Sequence, residues 1–169
     1  MSIKFKKLSD FKRGTLFELL KDAYSFDSKF EQRCSSDWKT CDNFLFNNLQ
    51  IADKCGFITT LNDDAIGFVL WDPRNIPEYV EIGHNCIASR HKGNGYAKVQ
   101  LKEAVNRIIQ NDVRKIIVTT NDELIPAQRM YESVGFKTYQ RRKNESITDF
   151  AGDYIDYVYS LQSDYFIQS

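Results

Sequence analysis

Apolar positions along this chain recur with two periods, and the changes between them mark out the elements. Ile3 to Lys7 alternates apolar and basic residues, which predicts a first strand. From about Arg13 to Tyr24, Leu16, Leu19, Leu20 and Ala23 fall at helical spacing. A second helix is expected from Asp37, read as its N-cap, to about Ala52, with Trp38, Cys41, Leu45 and Leu49 in its stripe. Gly56 to Leu61 and Ala65 to Trp71 predict a hairpin around Asn62-Asp63-Asp64, whose side chains favour turns. An irregular loop, Asp72 to Pro77, separates it from the next strand.

That strand is expected over Tyr79 to Ala88. The helix beyond it carries Ala97, Leu101, Ala104, Val105, Ile108 and Ile109 on one face, against Lys98, Lys102, Glu103, Asn106, Arg107 and Gln110 on the other. Lys115 to Thr120 predicts the following strand, parallel to the previous one if the helix makes a right-handed crossover. Pro126 suits the first turn of a shorter helix. Phe136 to Arg141 and Tyr154 to Leu161 then read as antiparallel strands, the last alternating Ile155, Tyr157 and Tyr159 with Asp156, Val158 and Ser160. With no internal repeat, low-complexity stretch or linker, the prediction is a single α/β domain with a mixed sheet flanked by helices.

Composition agrees with one domain: 169 residues, 42% hydrophobic and 14% aromatic, can bury a sizeable core. With 23 basic and 23 acidic residues the formal net charge is zero, which argues against nucleic acid as a partner. The cluster Arg141-Arg142-Lys143 reads as a solvated strand end. No apolar run reaches the roughly 20 residues of a membrane span and no signal-peptide core precedes the first strand, so no membrane partner and a cytoplasmic location are expected. Cys34, Cys41, Cys55 and Cys86 have irregular spacings with no C-x-x-C pair. They read as reduced, mostly buried thiols, and no metal site is expected. Cys86 alone lies near the turn described next, so its alkylation could block activity without its being a nucleophile.

Between the Tyr79–Ala88 strand and its helix lies Arg90-His91-Lys92-Gly93-Asn94-Gly95-Tyr96-Ala97. The two glycines let the backbone approach a ligand and adopt left-handed φ values. The helix that follows opens with unpaired N–H groups and the positive end of its dipole, both favourable to a phosphate. A dinucleotide fingerprint needs a third glycine where Lys98 stands, and a P-loop needs four residues between its glycines where this turn has one. The pattern that fits is R-x-x-G-x-G, from Arg90 through Gly93 to Gly95. It resembles the acetyl-coenzyme A pyrophosphate loop of the GNAT superfamily of N-acetyltransferases. Downstream, Asn121-Asp122-Glu123-Leu124-Ile125-Pro126-Ala127-Gln128-Arg129-Met130-Tyr131-Glu132-Ser133-Val134-Gly135-Phe136 resembles the N-x(4)-P-A-x(3)-Y-x(3)-G-F segment of the same superfamily.

The resemblance implies a GNAT-like fold in which two central parallel strands splay apart to form an acyl-CoA site. It divides the chain into an acceptor side over 1–60, an acetyl-CoA-binding core over 78–136 and C-terminal strands over 137–169. By position, Asn85, Cys86 and Ile87 would offer backbone to the pantetheine arm. Lys92, Gly93, Asn94, Gly95, Tyr96 and Ala97, with Arg90 beside them, would hold the pyrophosphate. Asn121 is expected to contact the cofactor or to cap the short helix.

Acetyl transfer to an amine needs a neutral nucleophile, donors for the developing oxyanion and an acid for the departing thiolate. Freeing a lysine-like amine of pKa about 10.4 at pH 7 costs about 4.6 kcal/mol, and an α-amino group near 8 about 1.4. A base therefore matters most for the former. The resemblance puts Glu81 in the position of the family's glutamate base, with His84 as its rival because imidazole titrates near neutrality. Tyr131 occupies the place of the tyrosine that protonates the CoA thiolate. It also falls in a core-facing stripe with Ala127, Met130 and Val134.

The acceptor expected is a primary amine of a small molecule or peptide. Asp72, Glu78, Glu81, Asp122 and Glu123 would draw a cation towards the mouth. A non-catalytic acyl-CoA-binding or regulatory domain, and a transferase of longer acyl groups, are the alternatives. A homodimer through the edge of the C-terminal strands is a further expectation.

Overall fold

The computed structural model describes residues 2–145 and 152–161, so parts of the expected C-terminal region lie outside the described residues. Among the described residues seven strands are hydrogen-bonded in the order β1-β2-β3-β4-β5-β7-β6: β1 Ile3–Lys6, β2 Gly56–Leu61, β3 Asp64–Asp72, β4 Val80–Ile87, β5 Lys115–Asn121, β6 Lys137–Arg142 and β7 Tyr154–Ser160. Among the described residues five α-helices accompany them: α1 Thr15–Ala23, α2 Ser28–Asn47, α3 Leu49–Lys54, α4 Tyr96–Ile108 and α5 Ile125–Val134. This is the mixed α/β sheet that the hydrophobic pattern predicts. The described residues divide into two compact units, the first formed by those up to Trp71 with His84–Leu101, and the second by Asp72–Gly83 with those from Lys102 onward.

In the first unit, β1 and β2 are antiparallel, and β2 and β3 form the expected hairpin. Asn62 and Asp63 both take positive φ, 51° and 71°, the turn whose twist matches two flanking strands. Leu16, Leu19, Leu20 and Ala23 of α1 and Trp38 and Leu45 of α2 are buried in one cluster with Ile58, Phe68, Leu70 and Cys86. The second helix departs from expectation. It begins ten residues early, capped by Asp27, whose carboxylate accepts from Lys29 N at 3.0 Å. Asp37 lies inside it, and the helix breaks at Asn48 (φ −135°, ψ 56°) before α3. Residues 28–37 are too polar to display an apolar period, so their helicity is invisible to pattern and comes from packing.

Asp42 of α2, only 2% exposed, accepts the backbone N–H groups of Gly14 (2.7 Å), Leu16 (3.0 Å) and Phe17 (3.2 Å). The first turn of α1 is thus capped from another helix, and Gly14 enters it at φ 96°.

In the second unit, β4 runs parallel to β5 over Val80↔Ile116, Glu81↔Ile117 and Ile82↔Val118. Strand β7 is antiparallel to both β5 and β6. One sheet face carries the buried Val80, Ile82, Ile116, Val118, Ile155 and Tyr157. The other carries Glu81, Ile117, Thr119 and Asp156. The alternation expected for the last strand therefore holds for Ile155 and Tyr157, but Asp156 is buried too, at 8% exposed.

Candidate active site

The turn after β4 lies wholly in the first unit. Gly93 and Gly95 stand at φ 79° and 81°, where a side chain would be strained although an added Cβ at either would meet nothing within 4 Å. The constraint is backbone conformation, not space. Asn94 Nδ2 donates to the carbonyls of His91 (3.2 Å) and Lys92 (3.4 Å), closing the turn on itself. Helix α4 opens at Tyr96, so the N–H groups of Tyr96 and Ala97 have no carbonyl four residues back within the helix.

The C-terminal end of α1 holds this turn, a contact the sequence did not signal. Ser89 N donates to Asp22 Oδ2 at 2.7 Å, and Ser89 Oγ donates to the Asp22 carbonyl at 2.6 Å. Lys92 Nζ donates to the Ala23 carbonyl and lies 4.8 Å from the centre of the Phe26 ring. Burial lowers the Lys92 pKa, while nearby Cys86 and Asp22 oppose that fall. Arg90 is exposed, its Nε 3.0 Å from His91 Nε2.

Before the turn, Cys86 and Ile87 are buried and Asn85 half-buried. Burial pushes the Cys86 thiol up to about 12, against the backbone of Phe68 and the charge of Lys92, which lower it. A buried thiol held protonated in this way reacts slowly with alkylating reagents. Cys55 is also buried and Cys34 and Cys41 are partly so; all four are free thiols. Among the described residues no cluster of three metal-ligating side chains occurs.

Gln100 gives no signal in the hydrophobic pattern, because it falls between the apolar and polar faces of α4. It is 0% exposed. Its Oε1 accepts from Thr59 Oγ1 at 2.6 Å, and its Nε2 faces the Phe68 carbonyl (2.8 Å), Asn85 Oδ1 (2.7 Å) and the Cys86 carbonyl (3.1 Å).

The remaining candidates, His84 excepted, lie in the second unit. Tyr131, 6% exposed, belongs to α5, which has Pro126 in its first turn and ends on Gly135 at φ 113°. The Tyr131 ring lies 5.8 Å from the rings of both Phe136 and Tyr157. Tyr157 donates its hydroxyl to Glu132 Oε1 at 3.0 Å. Asn121 shapes the approach to α5: its Oδ1 accepts from Glu123 N (2.9 Å), and its Nδ2 donates to the Gly152 carbonyl (3.1 Å). The residue preceding the helix is Leu124, so Asn121 is not its N-cap.

Glu81 is exposed on the polar sheet face, within the field of Arg142. Arg142 is paired with Asp156, Nε to Oδ2 at 2.7 Å and Nη2 to Oδ1 at 2.9 Å. Asp156 also accepts from Thr119 Oγ1 (2.6 Å) and Gln140 Nε2 (2.7 Å). The Arg142 side chain foremost, with these two donors, holds the Asp156 carboxyl down to about 2. Arg141 lies 3.6 Å from Asp122. Two of the three residues of the basic cluster Arg141-Arg142-Lys143 are therefore engaged in ion pairs, while all three stay exposed, as expected of a solvated strand end.

The same pairing revises the acidic mouth. Asp72 is taken by Arg74 at 2.6 Å, Glu78 by Arg114 at 2.7 Å and Asp122 by Arg141. Of the five carboxylates expected to draw a cation, Glu81 and Glu123 are those with no ion pair among the described residues. His84, half-buried on β4, has its pKa lowered by burial, and its ring is 6.1 Å from that of Phe68.

Residues 15–136 match the Acetyltransferase (GNAT) family. No curated protein is similar enough in sequence to match. Among solved structures, yncA from Salmonella typhimurium with its cofactor acetyl-CoA superposes with a TM-score of 0.76 at 12% identity, over 96% of this chain and 95% of that one. The NatC complex bound to Gag peptide and CoA gives 0.69 at 21% identity, over 96% and 100%. The ribosomal-protein-S18-alanine N-acetyltransferase from Escherichia coli gives 0.69 at 16%, over 99% of each chain. At these identities the likeness is one of fold.

Proposed function

The chain belongs to the acetyltransferase (GNAT) family, and from that premise we propose that it transfers the acetyl group of acetyl-CoA to a primary amine of a small molecule or peptide by direct attack. The observation that carries this reading is the turn at Gly93 and Gly95, whose two left-handed glycines lead into the open N-terminus of α4. A pyrophosphate needs such a cradle of backbone donors, and a merely structural turn does not. The fold is shared with yncA, which was solved with its cofactor acetyl-CoA.

In this reading the N–H groups from Lys92 to Ala97 hold the pyrophosphate, with Arg90 beside them, and Asn85 to Ile87 pair with the pantetheine arm. Tyr131 is the acid that protonates the departing thiolate, since a phenol is protonated at neutral pH. Glu81 is the base that takes the amine proton, directly or through water; its exposure suits contact with an incoming acceptor. His84 is the weaker candidate, because burial lowers its pKa and so its basicity. As the bond from nitrogen to the acetyl carbon forms, the carbon–sulfur bond breaks, and the proton lost by the amine is matched by one gained by CoA.

Thermal shift with acetyl-CoA, succinyl-CoA and NAD tests the donor, because a ligand at 100 times its Kd adds about 2.7 kcal/mol of stability. Stabilisation by acetyl-CoA is the expected result, and stabilisation by NAD alone would sink the reading. Thiol release across a panel of amines then tests turnover: CoA binding without release for any amine favours a binding domain, and preference for succinyl-CoA a longer acyl group.

A further inference from the structure

Gln100 is a buried polar side chain where packing asks for none. Its neighbours on α4, Leu101 and Ala104, are themselves 0% exposed, and an aliphatic residue would fill the same volume. Burying an amide is unfavourable unless its groups are satisfied. Here they are, and in one orientation only. Turning the amide over would set its oxygen against the oxygens of Phe68, Asn85 and Cys86. Thr59 anchors the other end from β2.

Gly67 makes the same arrangement possible from β3. A Cβ there would lie 2.4 Å from the Cys86 carbonyl oxygen, 2.6 Å from Ile87 Cδ1 and 3.0 Å from Gln100 Oε1. Two unrelated positions are thus committed to one stretch of backbone, residues 85–87.

We propose that Gln100 is a positioning residue for the acyl donor: its amide fixes the Cys86 carbonyl and the Asn85 side chain, so that residues 85–87 present a rigid backbone edge to the pantetheine arm. This rests on the reading of the chain as an acetyl-CoA-dependent transferase. Gln100 touches no reacting atom, and its effect is on affinity for the arm alone.

Isothermal titration of the whole chain with acetyl-CoA and with adenosine 3′,5′-bisphosphate, which lacks the pantetheine arm, separates the possibilities. Gln100→Met keeps the volume and removes the hydrogen bonds, so its acetyl-CoA Kd should rise about tenfold while that of the bisphosphate stays within about twofold. Amide hydrogen exchange over residues 84–88 should quicken in the same variant. Thr59→Val, which keeps Gln100 and frees only its oxygen, should give a smaller rise in acetyl-CoA Kd and keeps the idea testable should Gln100→Met not fold. Equal loss for both ligands in either variant, or no loss for acetyl-CoA, would overturn the proposal. Failure of the unsubstituted protein to bind acetyl-CoA would instead overturn the functional reading beneath it.

Discussion

The turn from Ser89 to Ala97 and the sheet face around Glu81 are built on different principles. The turn works through backbone: two glycines at positive φ, an Asn94 amide that closes the loop, and helix N–H groups. The sheet face works through side chains drawn from several strands: Thr119 of β5, Gln140 and Arg142 of β6, and Asp156 of β7. A backbone cradle depends on a few adjacent residues. A charge network depends on which strands meet, and one arginine arriving from elsewhere turns an apparent acidic attractor into a neutral pair. The lesson is that a run of like charges in sequence says little about the field it leaves in the fold.

This contrast predicts that the turn controls donor affinity and the second unit controls turnover. The sharpest test is Tyr131→Phe, which keeps the ring packing against Phe136 and Tyr157 and removes the hydroxyl. Loss of a general acid costs about a hundredfold or more in kcat with KM for acetyl-CoA little changed. An unchanged kcat would leave Tyr131 as a core residue.

Next in size is Gly93→Val. A β-branched residue forced to φ 79° costs on the order of 1–3 kcal/mol. The apparent KM for acetyl-CoA should therefore rise between about fivefold and about 160-fold. Gly93→Asn, which tolerates left-handed φ, should give a much smaller rise. If the valine variant bound CoA like the parent, the turn would not be the phosphate site.

Glu81→Gln should lower kcat about tenfold near neutral pH for an alkaline amine, below the usual range for base catalysis because water can stand in at an exposed position. Its pH–rate profile should then follow the ionisation of the amine itself. A wild-type profile would place the base elsewhere.

The smallest effect is on stability. Asp156 has its pKa depressed, so its pairing stabilises the fold above the unfolded value near 3.8 and is lost as pH falls through about 2. Because the Arg142 side chain is 50% exposed, solvent screening limits the contribution to about 1 kcal/mol. Asp156→Asn should cost that amount at pH 7 and nearly nothing below pH 2, read by denaturant midpoints. Equal destabilisation at both pH values would mean packing rather than charge.

Strands and short helices were legible because each carried its own period or punctuation. Pro126 and Gly135 bracket α5, and Asn62-Asp63 makes its hairpin turn, through local backbone preferences alone. The start of α2 at Ser28 was not legible, since residues 28–37 expose too little apolar surface to show a stripe. Of the site, Gly93, Gly95 and Tyr131 stood out by spacing. Asp22 and Gln100 did not, because their partners lie 67 and up to 41 positions away along the chain.

The sequence by itself determined the order of the strands and the left-handed turn, for these follow from φ preferences and periodicity within short windows, and its two motifs carry the resemblance to the family that the chain matches. Only the tertiary structure decided which charges are neutralised, which helix end grips the turn and why a glutamine is buried beside β4. Those outcomes depend on desolvation and on hydrogen bonds between distant residues, and neither quantity exists until the chain has folded.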